Sequence, residues 1–301
     1  MRIVSVLPSA TEIVCALGHS SELVGRSEEC DYPPEVQSRP VVMRPKKWDA
    51  DRPSAEIDAR VREVRGRGES LYVLDVPLLR RLAPDLLITQ DLCGVCSVTE
   101  EEVVAACREA GVAPGVVSLM PHTLSQVWDT VGAVARAVGD EEAGRRLETS
   151  LRARSSGAPG PGRVPLVAVV EWLDPPILAG LWTPDIVRAA GGDAVGPCSG
   201  EPGIRTTWDE IERYAPDLVV LSPCSFSVER TEQELRRTKM HDAVARLKPR
   251  RGTYVADEAY FSRPGPRLAD GIDLVRSLLA GGPGAHPMPV RRWEGSGRRA
   301  A

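Results

Sequence analysis

Two words of this chain mirror each other: RLAPDLLIT at residues 81–89 and RYAPDLVVL at residues 213–221. Each reads as a helix end, an Ala-Pro-Asp-Leu turn, a short apolar stretch of buried-strand type and then a loop that carries cysteine. The likeness extends outward. The apolar stretches at 2–7 and 165–170 each lead into a helical pattern that ends in glycine, at Ala16-Leu17-Gly18 and at Ala189-Ala190-Gly191-Gly192. Two copies of one unit predict two similar lobes. The alternative is a generic likeness between any two parallel-sheet units.

Other short apolar runs, at 116–119 and 253–256, complete a strand–helix alternation, which predicts α/β layers with parallel sheets. Thr207-Trp208-Asp209-Glu210 has the capping-box pattern, and Thr99 and Ser54 are expected N-caps for helices over 100–109 and 55–65. Leu124, Val127, Trp128, Val131, Val134 and Val138 recur at helical spacing, the mark of an amphipathic helix. Gly139-Asp140 interrupts it, a second helix is expected over 141–153, and SSGAPGPG at 155–162 reads as a linker. The expected layout is a first α/β lobe over 1–139, a linking helix and linker over 140–162, a second lobe over 163–280 and a disordered tail over 281–301.

The bulk numbers exclude several function classes. The chain has 301 residues, a net charge of −4 and four lysines against 34 arginines, so nothing favours nucleic acid or an anionic membrane. No run approaches the ~18 apolar residues of a membrane span. The start, MRIVSVLPSATE, lacks the apolar core of a secretory leader, and the expectation is a cytoplasmic protein. Its seven cysteines are then mostly reduced thiols. No phosphate-binding loop, dinucleotide fingerprint or nucleophile elbow is present.

Several long words carry a resemblance. LPSATEIVCALG (7–18), ECDYPPEV (29–36), APDLLITQDLCGVCSV (83–98), EWLDPPILAGLW (171–182), APDLVVLSPCSFSVERT (215–231) and AYFSRPGPRLADG (259–271) resemble, in this order, the helix-backbone (class III) substrate-binding proteins of ABC importers. Within that superfamily the chain is most similar to the cobalamin-binding branch. The resemblance spans about residues 2–280. It implies two α/β lobes joined by a single backbone helix, a ligand cleft between them, a corrinoid or related tetrapyrrole or metal-chelate ligand, and an ABC permease as partner if a leader has been lost.

Ligands of open α/β sheets bind outside the carboxyl ends of the strands. That rule nominates the loops at 8–12, 28–32, 90–97, 121–122, 171–176, 223–227 and 257–263. Ser9, Thr11, Tyr32, Trp172, Trp182, Phe226, Tyr260, Phe261 and Arg263 fall in or beside them, and Trp48 is expected to overhang them. Flat faces suit a planar macrocycle, and Arg263 suits a carboxylate or phosphate on it. Glu171 and Asp174 are candidate acid–base groups beside Trp172. Four cysteines, Cys30, Cys93, Cys96 and Cys224, lie in the same loops. Three readings of them stay open: a redox pair at Cys93-x-x-Cys96, a site for a transition metal or iron–sulfur cluster, or small residues shaping a pocket. The second reading makes the chain a metalloenzyme on a binding-protein scaffold.

Overall fold

Ala83 and Ala215, the alanines of the two Ala-Pro-Asp words, both take left-handed backbone conformations, with φ of 41° and 48°. The residues around them explain why. The structure is a computed structural model and describes residues 1–46, 52–90, 98–157, 160, 162–237 and 240–294. By internal contacts the chain divides into two units. The first comprises Met1–Arg52, Ala59–Pro121 and Gln126–Leu151, and the second Pro53–Asp58, His122–Ser125 and Arg152–Ala301.

In the first unit the described strands are β1 (Ile3–Ser5), β2 (Leu23–Ser27), β3 (Val41–Pro45), β4 (Tyr72–Leu74), β5 (Leu86–Gln90) and β6 (Gly115–Leu119). They lie in the order β4-β3-β2-β1-β5-β6, all parallel except the β3–β4 pair. The second unit has β7 (Leu166–Leu173), β8 (Pro176–Leu178), β9 (Asp193–Ala194), β10 (Ile204–Arg205), β11 (Leu218–Leu221), β12 (Thr253–Ala256) and β13 (Val290–Arg292). Their order is β10-β8-β7-β11-β12-β13, with β9 beside β7. There β7, β11 and β12 are mutually parallel, β8 runs antiparallel to β7, β10 antiparallel to β8 and β13 antiparallel to β12.

The mirrored aspartates fasten equivalent strands. The Asp85 amide donates to Arg2 O (2.9 Å), and its carboxylate accepts from the Arg2 amide (2.7 Å). The Asp217 amide donates to Leu166 O (2.8 Å), and its carboxylate accepts from the Leu166 amide (2.9 Å). On the other side, Asp85 O accepts from Gly115 N (2.9 Å) and Asp217 O from Arg251 N (2.7 Å). Each aspartate thus ties the start of its own strand to both neighbours. A left-handed alanine, which costs about 1–2 kcal/mol, delivers it there. The repeat is therefore one of geometry as well as of letters.

Every residue of β5 and β11 is buried, as strands covered on both faces require. The helices are α1 (Pro8–Ala16), α2 (Ser54–Gly66), α3 (Val76–Leu82), α4 (Glu100–Ala110), α5 (Leu124–Val138), α6 (Glu141–Arg154), α7 (Thr183–Ala189), α8 (Trp208–Arg213), α9 (Val228–Arg237), α10 (Met240–Arg246) and α11 (Leu268–Ala280). α4 and α8 start with the reciprocal capping box, Thr99 with Glu102 and Thr207 with Glu210. Within the first unit α6 meets α5 at Gly144, where an added Cβ would lie 2.4 Å from Ala135 Cβ. In the second unit a core cluster gathers Val170, Leu178, Val219, Leu221 and Val255 from the sheet and Ile211, Val228 and Leu235 from helices.

Two expectations need correction. Residues 8–12 are not a loop but the start of α1, with proline at its first turn, where the missing N–H costs nothing. Nor is the stretch after Gly281 uniformly unstructured: Val290–Arg292 forms an edge strand on β12, and Trp293 joins the core cluster of its unit. Two arginines in a three-residue strand hide it from any hydrophobic pattern, since its pairing is through the backbone. No helix among the described residues is long and apolar enough to cross a membrane.

Candidate ligand-binding site

In the second unit β7 runs on past β11 to Glu171-Trp172-Leu173, where it stays paired with β8, and its register with β8 shifts between Val170 and Trp172. Such irregularities re-aim side chains at the ends of strands. The Trp172 ring meets the Phe226 ring at 5.4 Å between centroids, tilted by 54°. The Arg230 guanidinium covers Phe226 at 4.6 Å from its centroid. Trp172 comes from the end of β7, Phe226 from the loop after β11 and Arg230 from the first turn of α9, so three elements build one amphipathic cluster. The Trp172 indole N–H is buried and has no acceptor among the described residues.

Behind that face lies a charged cluster. Glu234, one turn after Arg230, has its side chain 2% exposed and accepts from Arg230 Nη1 at 3.0 Å. Its other oxygen accepts from the Ser54 amide (2.7 Å) and hydroxyl (2.8 Å). Asp58 takes the Arg205 guanidinium with both oxygens, one of them at 3.1 Å from Nη1. Burial pushes the Asp174 carboxyl above the usual carboxylate range, and the negative charges of Glu234 and Asp58 push it further. Beside them Glu171 lies against Gly203, where any Cβ would stand 2.1 Å from Glu171 Oε1. The Ser225 amide, on left-handed backbone with φ 63°, donates to Glu258 Oε2 at 2.7 Å.

The other nominated residues divide by burial. Trp182 is 5% exposed and donates its indole N–H to Phe261 O at 2.6 Å. Tyr260 and Phe261 are buried, and Tyr260 donates its hydroxyl to Met288 O at 2.8 Å. Burial lifts the Tyr260 phenol to about 12. These three are buried in the second unit, as is Phe226 at 5% exposed, and Trp172 above it is half-buried. Arg263 is held by Glu258, at 2.9 Å from Nε and 2.7 Å from Nη2, so it fixes the turn rather than standing ready for an anion.

In the first unit Ser9 and Thr11 also turn inward. The Thr11 hydroxyl reaches Ser5 Oγ (2.9 Å), Leu7 O (3.2 Å) and Cys30 Sγ (3.0 Å). Tyr32, by contrast, is 46% exposed. Trp48, Cys93 and Cys96 lie outside the described residues. Cys30 is fully buried, and the Cys224 thiol lies 3.3 Å from Ser262 Oγ. Among the described residues no group of three or more His, Cys, Asp or Glu side chains is placed to hold a metal.

Sequence reasoning missed Arg230, Glu234, Asp58 and Arg205. Arg230 and Glu234 carried a signal, an i,i+4 pair of opposite charge just after a nominated loop. Asp58 and Arg205 stand 147 residues apart, and nothing local marks them.

No family model and no curated protein matches the sequence. Solved structures do match. A periplasmic haem-binding protein of Pseudomonas aeruginosa is 19% identical, with 95% of this chain and 96% of that one covered at a TM-score of 0.66. The fold is that of the periplasmic substrate-binding proteins. The periplasmic vitamin B12-binding protein of Vibrio cholerae shares it at 20% identity, with 93% of this chain and 96% of that one covered and a TM-score of 0.59. So does a protein of an Fe3+-hydroxamate transport system from Saccharomonospora viridis, 16% identical over 92% of each chain with a TM-score of 0.61. The substrate-binding fold thus carries ligands of several kinds at this level of likeness.

Proposed function

We propose that this protein is a ligand carrier of the substrate-binding type, and that it takes a corrinoid or closely related tetrapyrrole or metal-chelate ligand for an ABC permease. The observation that carries the reading is the Trp172–Phe226–Arg230 face, standing at the carboxyl edge of a sheet in this fold. Trp172 is the half-buried ring of the pair, backed by the buried Phe226, and ring stacking on it adds about 0.5–1.5 kcal/mol beyond burial. The buried Trp172 N–H, without an acceptor among the described residues, supplies a donor that a peripheral amide or carboxylate on the macrocycle would satisfy. Solved proteins of the same fold are described as binding haem and vitamin B12, which supports a macrocyclic ligand.

Titration of the purified chain with cobinamide, cobalamin and haemin, followed by tryptophan quenching, tests the reading. Saturable quenching by one of them is expected, with Trp172→Ala weakening it by about tenfold, the equivalent of ~1.4 kcal/mol. A variant that binds as tightly as the wild type would remove the face from the site.

A further inference from the structure

The sheet of the second unit has another opening, at the edge opposite the Trp172 face. There the chain leaves α10, turns through Lys248–Gly252 into the start of β12, and β13 returns beside it to Trp293 and Glu294. Between these segments lies a cavity of about 520 Å3. Its apolar wall includes Val244, Pro249 and Trp293, and its charged groups are Lys248, Arg292 and Glu294. A volume of that size falls within the ~300–1,000 Å3 of small-molecule sites, which pair apolar walls with a few placed polar groups.

Three further observations concern the polar groups. The Lys248 and Arg292 side chains make no hydrogen bond or ion pair with any described residue, although both line one cavity. Lys248 sits on left-handed backbone, φ 37°, a conformation that costs a non-glycine residue energy and recurs at binding sites. Gly252, at φ +95°, brings its backbone so close that an added Cβ would lie 3.2 Å from Arg292 Nε. Trp293 is 9% exposed, and its buried indole N–H has no acceptor among the described residues.

We propose that this cavity binds a small organic anion, a carboxylate or sulfonate carried on an apolar body, with Lys248 and Arg292 holding the head group and Val244, Pro249 and Trp293 the body. Two cations against the single carboxylate of Glu294 leave the cavity net positive, which selects an anion, and charge-assisted hydrogen bonds from a lysine and a guanidinium are the strongest such groups offer. Inorganic phosphate would leave the apolar wall wet, and a neutral body would leave the cations unused. Glu294 opposes the head group and sets an upper limit on affinity. The site is independent of whatever the opposite edge of the sheet binds.

The full chain is titrated by calorimetry with 4-tert-butylbenzoate, with its neutral alcohol and with inorganic phosphate. Saturable binding of the benzoate alone is expected. Lys248→Gln with Arg292→Gln should weaken it by at least about tenfold. Glu294→Gln should tighten it severalfold, because a like charge is removed from the rim. All three side chains are exposed, so these variants keep the fold, and unchanged circular dichroism melting checks it. A shift of the Trp293 indole resonance, assigned through Trp293→Phe, should accompany benzoate binding. The proposal is overturned if the alcohol or phosphate binds as well as the benzoate, or if the doubly neutralised variant binds it unchanged.

Discussion

Glu234 shows what a single buried charge does in this protein. Its carboxylate is almost wholly removed from water, yet Arg230 and the amide and hydroxyl of Ser54 occupy its oxygens. Such a group contributes little net stability while intact, but breaking it leaves a buried charge without a partner. Glu234→Ala should therefore cost about 3–5 kcal/mol in urea unfolding, more than any exposed ion pair on the surface. Asp174 should behave with the opposite sign. Burial, then Glu234 and Asp58, raise its folded pKa above the unfolded value, so the folded state holds its proton more tightly. Its charged form opposes folding, and stability falls as pH rises from the unfolded pKa of ~3.9 through the raised folded one. Asp174→Asn is expected to be more stable than the wild type at pH 7, and the gain should vanish below about pH 4; melting curves at both pH values decide it. Trp182, Tyr260 and Phe261, nominated for a ligand, are buried within their unit, as Phe226 is. Aromatic enrichment beside strand ends marks area to be buried, and it does not say whether a ligand or the protein buries it.

At the scale of elements the sequence was most legible where backbone chemistry is local. The capping box at Thr207, the N-cap at Thr99, the span of α5 and the strand at Thr253–Ala256 follow from residues within one turn or one strand of each other. Thr207→Ala should lower stability by about 1 kcal/mol, seen as a lower urea midpoint with an unchanged slope. The mirrored Ala-Pro-Asp turns make a sharper prediction. Ala83 and Ala215 hold left-handed backbone that glycine adopts freely, so Ala83→Gly and Ala215→Gly should each stabilise by up to about 1 kcal/mol, against the usual loss on adding glycine. Destabilisation by both would mean the turns are not as described. Strands β2, β4 and β13 were illegible for a physical reason. They are short, carry arginine, glycine or exposed side chains, and owe their existence to neighbours already in place. Arg26 within β2 shows this: it is buried, and its guanidinium donates to the carbonyls of Ser27, Glu28 and Gln37.

For the whole molecule, the two-unit α/β architecture was readable because it is written twice, and the repeat survives as matching hydrogen bonds around Asp85 and Asp217. The candidate site was readable only in part. Trp172 and Phe226 were nominated from the rule that ligands meet the carboxyl ends of strands, while the pairing of Asp58 with Arg205 depends on tertiary folding. The fold is shared with proteins described as haem-binding and vitamin B12-binding and with one of an Fe3+-hydroxamate transport system, so the architecture leaves the choice among ligand classes to side chains. Equilibrium dialysis of the purified chain against cobinamide, haemin and a ferric hydroxamate tests the carrier reading most directly. Saturable binding of a macrocycle, strongest for the corrinoid and lost together with Trp172 and Phe226 in the doubly alanine-substituted chain, is the predicted result. Failure of every probe to bind up to high micromolar concentration, or binding of the hydroxamate alone, would contradict it.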